Sequence, residues 1–254
     1  AEASFNTVKV SISVGLTNKR RLLLPDTLLL SIGIPSITIS GSFEALSEEE
    51  LERVDMCRVS MHYNAGEIIF KQGSPCYDFV CVTSGLVKLY IEGENDRRLI
   101  IGFAKPVDYI FVPGAYVDKR HHFSAVACEE TTACLVEADI IQNMVRTNQN
   151  FANSFIRKIS MQAIGLFEQI AILTHKQIPG RMADTLIYLS GKVYSSNPFS
   201  TNLTRQDLAD LSGMTKESAI RVLKTFKEDD LIRIDGNLIE IINLQMLETI
   251  SRNG

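Results

Sequence analysis

Residues 203–230, LTRQDLADLSGMTKESAIRVLKTFKEDD, constrain the fold more than any other stretch of this chain. Thr204 stands three residues ahead of Asp207 and Thr215 three ahead of Ser218, so each threonine can cap a helix by accepting from a first-turn N–H. Ala209 is small where two helices would cross, and Gly213 can take the positive φ of a tight turn. Leu208, Met214, Ala219 and Val222 supply an interior. Two short helices joined by such a turn make a helix-turn-helix. A preceding helix from Arg181 to about Ser190 and two following apolar runs, LIRIDGNLIEII, predict the winged form, with a type I′ hairpin turn at Asp235-Gly236.

The second helix of this segment is polar on one side, where Lys216, Glu217, Ile220, Arg221 and Lys224 fall together. The net charge of the chain is −4, so any attraction for nucleic acid has to come from a local patch. Such a patch is present: residues 215–227 hold Lys216, Arg221, Lys224 and Lys227 against Glu217 alone. An arginine can fork two donors onto O6 and N7 of guanine, and a glutamate can accept from the amino group of cytosine. Glu217 and Arg221, one turn apart, are therefore candidate base readers, at the place where a recognition helix enters the major groove.

Upstream the texture is different. Ser47 and Glu50 form a capping box that starts a short amphipathic helix. Short runs follow, GEIIFKQGSP, DFVCVTSGLVKLYIEGENDRRLIIGF and HFSAVACEETTACLVE, separated by turn residues. Val87, Leu89 and Ile91 alternate with Lys88, Tyr90 and Glu92, the pattern of a half-buried antiparallel strand. Many short strands at this spacing predict a β-barrel or jelly roll. After Asn150 the period becomes helical: Ala152, Ile156, Ile159, Ala163, Leu166, Ile170 and Leu173 follow one another by steps of 4, 3, 4, 3, 4 and 3. One helix cannot cover such a seam alone, and its regularity predicts a parallel two-stranded homodimer. HKQIPGR then predicts a hinge at Gln177 to Gly180.

The expected organisation is therefore α+β: an N-terminal extension over 1–42, a β-roll over 43–148, a dimerisation helix over 149–176 and a winged helix-turn-helix over 177–254. Within the extension, KRRLLLPDTLLLSIGIPSITIS imitates a signal peptide, but Pro25, Asp26 and Pro35 interrupt the apolar run, so it is read as non-membrane and the protein as cytoplasmic. Five cysteines, Cys57, Cys76, Cys81, Cys128 and Cys134, form no CxxC pair and sit in apolar surroundings, as reduced core thiols do.

From Phe43 to about Ile250 the chain resembles the cyclic-AMP receptor protein and fumarate-nitrate reductase regulator (Crp-Fnr) family of bacterial transcription factors. GEIIFKQGSP with DFVCVTSGLVKLY resembles the opening strands of the family's cyclic-nucleotide-binding-like β-roll, and LTRQDLADLSGMTKESAIRVLKTFKEDDLI its DNA-reading segment. The resemblance implies Thr204, Arg205 and Gln206 on phosphates, Lys216, Glu217 and Arg221 at bases and Ser218 near the backbone, with Thr215 and Lys224 also in the DNA-binding set. It places Ile220 at the position that helps members tell half-sites apart. It also implies a palindromic double-stranded operator, RNA polymerase as a partner, and no enzymatic activity. No nucleophile with a base, carboxylate pair or metal triad stands out in the sequence.

The departures concern the signal. In members that respond to cyclic AMP a glutamate meets the ribose and an arginine-serine pair the phosphate. Here that pocket would be Val112, Pro113, Gly114, Arg120, Phe123 and Ser124, with Val112 near the glutamate position and Phe123 at the arginine position. Phe123 offers no charge to a phosphodiester, so cyclic AMP is disfavoured, and Arg120 could substitute only if the loop shifts. Iron–sulfur members use closely spaced N-terminal cysteines; residues 1–56 have none, which disfavours a cluster. Haem remains a candidate through His62, His121, His122 and His175, against a reading in which His121-His122 is a solvated loop and the cysteines are core. A Cys76–Cys81 thiol pair is a further candidate. The expected effector is thus a small-molecule, redox or gas signal other than cyclic AMP.

Overall fold

The computed structural model describes residues 43, 46–56, 58–110 and 112–254. The extension over 1–42 and Cys57 lie outside the described residues. The chain is α+β. Helix α1 (Glu48–Met56) opens on the expected box: the Ser47 N–H donates to Glu50 Oε2 at 2.9 Å and the Glu50 N–H to Ser47 Oγ at 3.3 Å.

Eight strands then build the roll as two antiparallel four-stranded sheets. They are β1 (Arg58–Tyr63), β2 (Ile68–Phe70), β3 (Asp78–Ser84), β4 (Val87–Glu92), β5 (Arg98–Ala104), β6 (Tyr109–Ile110), β7 (Ser124–Ala127) and β8 (Thr131–Glu137). One sheet runs β1-β8-β3-β6 and the other β2-β7-β4-β5. Strand β1 was not among the predicted runs; it pairs with β8 from Arg58↔Val136 to Tyr63↔Thr131. Val87 and Leu89 point into the roll as their period requires. Tyr90 on the opposite face is buried as well, because the outer side of this sheet carries the C-terminal unit and does not meet water.

The roll closes on an aromatic cluster supplied partly by the helices behind it. Helix α2 (Ala138–Thr147) leads into α3 (Gln149–His175), which is capped by the Asn148 side chain accepting from the Phe151 N–H. Phe151 and Phe155 of α3 are buried against Phe43, Phe79 and Tyr109, with ring centroids 5.8 Å (Phe43–Phe151) to 6.0 Å (Phe79–Phe155) apart. Polar ties follow on the same side: Lys158 Nζ to Asp108 Oδ1 at 2.9 Å, and Gln169 Nε2 to the Ile100 carbonyl at 2.6 Å.

This attachment divides the heptad seam. Ile159 packs on the core of the roll and Leu173 lies against Gly213, while Ile156, Leu166 and Ile170 stay exposed; Ala152 and Ala163 are half-buried. Met161, Ile164 and Phe167, which the seam omits, are exposed too, Phe167 by 68%. The open apolar face is thus turned from the sequence seam by roughly 60° at 100° per residue.

Helix α4 (Ile178–Tyr188) begins three residues earlier than expected, with Pro179 in its first turn, where a missing N–H costs nothing. Pro179 and Gly180 therefore belong to the helix, and the non-helical joint reduces to Lys176 and Gln177. Gly180 packs closely, the backbone of Gly254 at the end of α7 (Leu244–Asn253) lying 3.0 Å from where a Cβ would be.

Candidate nucleic-acid interface

Helices α5 (Arg205–Leu211) and α6 (Lys216–Glu228) are the predicted pair. Thr204 and Asp207 form a complete capping box: Thr204 Oγ1 accepts from the Asp207 N–H at 3.1 Å while Asp207 Oδ2 accepts from the Thr204 N–H at 2.8 Å. Thr215 caps α6, accepting from the Ser218 N–H at 3.3 Å. Gly213 has φ +59°, a conformation that favours glycine, and a Cβ there would press on the Leu173 side chain of α3. Leu208, Ala209 and Ala219 are fully buried between the helices, with Met214 and Val222 packed at their edge.

That packing leaves one side of α6 in solvent. Lys216, Glu217, Ile220, Arg221 and Lys224 are all exposed, Thr215 with them, and Ser218 is half-buried. Arg221 Nη2 donates to Ser218 Oγ at 3.4 Å, and Lys224 pairs with Glu228 at 3.5 Å. Thr204 and Gln206 are exposed at the start of α5 and Arg205 is half-exposed beside them. The Gln206 amide donates to buried Asp210 at 2.7 Å, and burial pushes the Asp210 carboxyl above its usual range. The wing is β10 (Ile232–Asp235) and β11 (Leu238–Ile241), with β9 (Phe199–Ser200) on the far side of β11. Its two loop residues are Gly236-Asn237, since Asp235 pairs with Leu238; of the two, Gly236 alone has positive φ, the type II′ pattern and not the expected I′.

Of the residues predicted to line a pocket in the roll, Val112, Gly114, Phe123 and Ser124 are buried. Phe123 is buried and packs against Phe70, centroids 5.6 Å apart, and His121 stacks on the same ring at 3.9 Å. The solvated His121-His122 loop is corrected here: His121 is 7% exposed, and burial, with His122 adding to it, brings its pKa down to about 4. His122 is the exposed one, 3.1 Å from Asp118. Buried Ser124 accepts from the Gln72 N–H at 2.9 Å. Val112 and Gly114 are buried and Pro113 half-buried in a short turn, where Gly114 lies too close to the Arg120 carbonyl for any side chain. Exposed Arg120 donates to the Gly73 carbonyl at 3.0 Å.

The candidate haem ligands lie at separate places in the fold. His62 is tied to Thr132 at 3.0 Å on the roll's edge, His121 is held in its stack, and His175 ends α3. Cys81 faces Cys134 across the β3–β8 ladder, and Cys76 and Cys81 are both buried free thiols. Burial pushes Cys81 and Cys128 up to about 12, far from thiolate reactivity at neutral pH.

Comparison with known proteins matches this architecture unit by unit. The Crp-like helix-turn-helix domain matches residues 180–250 and the cyclic nucleotide-binding domain residues 60–148. The chain belongs to the Crp-Fnr family. Among curated relatives, electron transport regulator A of Shewanella oneidensis is 26% identical over 82% of this chain and 85% of its own length. The fumarate and nitrate reduction regulatory protein of Yersinia pestis is 25% identical with the same coverage. FixK2 of Bradyrhizobium japonicum shares the fold with a TM-score of 0.69 at 21% identity, over 76% of this chain and 96% of its own. The protein is thus a DNA-binding transcription regulator of the Crp-Fnr type and not an enzyme. No helix among the described residues is long and apolar enough to cross a membrane.

Proposed function

We propose that the protein is a cytoplasmic homodimer that reads an inverted repeat and answers to a signal other than cyclic AMP. The observation that carries the reading is the exposed row Lys216, Glu217, Arg221 and Lys224 on a helix whose opposite side is fully committed to packing. Two copies joined along α3 would present two such rows to successive major grooves, so the half-sites would be centred about one helical turn apart. RNA polymerase is the partner on which such a regulator acts.

Mobility shifts on a selected operator and on random duplex test this reading. Arg221→Ala should cost about 1–3 kcal/mol on the operator and relax selection at one G·C pair, whereas Arg205→Ala should weaken all sequences alike and lower the salt slope by about one unit. Equal losses on both duplexes for Arg221→Ala would overturn the base-reading role.

A cyclic nucleotide as the signal is the second reading, favoured by the domain match over 60–148. Against it, the Phe70–His121–Phe123 packing puts apolar rings where an anionic phosphodiester would need a cation. Calorimetry with cyclic AMP decides: affinity no better than about millimolar is expected, and tight binding abolished by Arg120→Ala would replace the first reading.

A further inference from the structure

The outer face of the sheet β2-β7-β4-β5 is where the roll meets the DNA-reading unit. Tyr90, Ile100 and Val126 from β4, β5 and β7 share one buried cluster with Leu208, Ala209 and Leu211 of α5. In the middle of this apolar contact stands one ion pair, Lys88 Nζ on Asp207 Oδ1, with 19% and 10% of the two side chains exposed. Asp207 is the same residue whose other oxygen, Oδ2, takes the Thr204 N–H at 2.8 Å and the Thr204 hydroxyl at 2.7 Å to close the cap of α5. A single carboxylate therefore joins a strand of the roll to the turn that carries Thr204, Arg205 and Gln206. Around it, Asp210 feels Arg98 and Lys88 together, and the Arg98 guanidinium lies 5.1 Å over the Tyr90 ring.

We propose that Lys88 is a latch that sets the orientation of the DNA-reading unit, so that a shift of β4 in the roll reaches the first turn of α5 directly. The route is separate from α3 and from the joint at Lys176-Gln177. It follows from geometry: the outer strand face is covered, the ion pair lies inside the cover, and the carboxylate is already fixed on its far side by the cap. A charge pair held at both ends in a largely dry contact has few alternative arrangements, so the strand and the helix turn move as one body or separate. Lys88 is a positioning residue and touches no DNA. The inference rests on the reading of α5–α6 as the DNA-reading pair.

The test uses the full chain with spin labels on Asn95→Cys and Lys227→Cys, both exposed, and measures the distance distribution between roll and α6. A narrow distribution is expected with Lys88 and with Lys88→Arg, and an added longer population with Lys88→Met. Because Lys88→Met alone strands the Asp207 charge, the pair Lys88→Met/Asp207→Asn removes both charges while keeping an acceptor for the cap, and it should show the same longer population. Operator affinity of both methionine variants should differ from the parent by about five-fold or more, with recovery by Lys88→Arg. An unchanged distribution, or a changed one with unchanged operator affinity, overturns the latch. If the parent selects no sequence from a random duplex library while the distances still follow Lys88, the latch stands and the DNA reading fails.

Discussion

At the residue scale two positions owe their side chain to the surrounding geometry. Gly213 combines a positive φ with contact to Leu173, so Gly213→Ala should lower stability by about 1–3 kcal/mol in thermal unfolding, and Leu173→Ala in the same chain should return part of it. His121 is folded in its neutral form. With a folded value of about 4 below an unfolded value of about 6.5, the unfolded chain takes up the proton first as pH falls. Its contribution is therefore complete above about pH 6.5 and is lost on the way down to 4, as much as about 3 kcal/mol in all. The melting temperature of the parent should drop more between pH 7 and pH 5 than that of His121→Phe; parallel curves would show that the ring is not buried neutral. Thr204, Gly213 and Thr215 were legible in the sequence because caps and positive-φ turns are local requirements. His121 was not, because nothing local distinguishes a histidine stacked under Phe70 from one in a loop.

At the element scale the contrast is between α6 and α3. The sequence assigns the faces of α6 as the structure does, because buried Ala219, Leu223 and Phe226 and exposed Lys216, Arg221 and Lys224 fall on opposite sides of a helix with one cover. Helix α3 has two calls on its apolar surface, the roll and whatever meets its outer side, and periodicity merges them into one seam. Phe151 and Phe155 are taken by the roll, and Ile159 is shared with it. Substituting lysine at Ile156 and Phe167, both exposed, should yield monomers in sedimentation at micromolar concentration without loss of fold. Ile159→Lys should instead destabilise the roll itself by about 2 kcal/mol or more, seen in denaturant unfolding. A dimer that survives the first pair would exclude the outer face of α3 as its interface.

At the scale of the whole molecule, roll and DNA-reading unit share a core. Both faces of β4 and β5 are covered, which a period-2 pattern cannot announce: Lys88 and Tyr90 read as a wet face because polar and amphipathic residues stand there. The cover comes from residues between 69 (Gln169 on Ile100) and 119 (Asp207 on Lys88) positions away. One calorimetric transition is expected for roll and reading unit together, and Ile100→Ser, placed in the shared cluster, should split it into two. The capping carboxylate of α5 has a consequence for inheritance as well. Asp207 serves the cap and the ion pair at once, so its alleles that remove the acceptor should score as plain loss of function, whereas alleles at Lys88 should keep sequence selection while operator affinity escapes control. A selection for deregulated growth would then return Lys88 repeatedly and Asp207 seldom, although the two atoms concerned are neighbours.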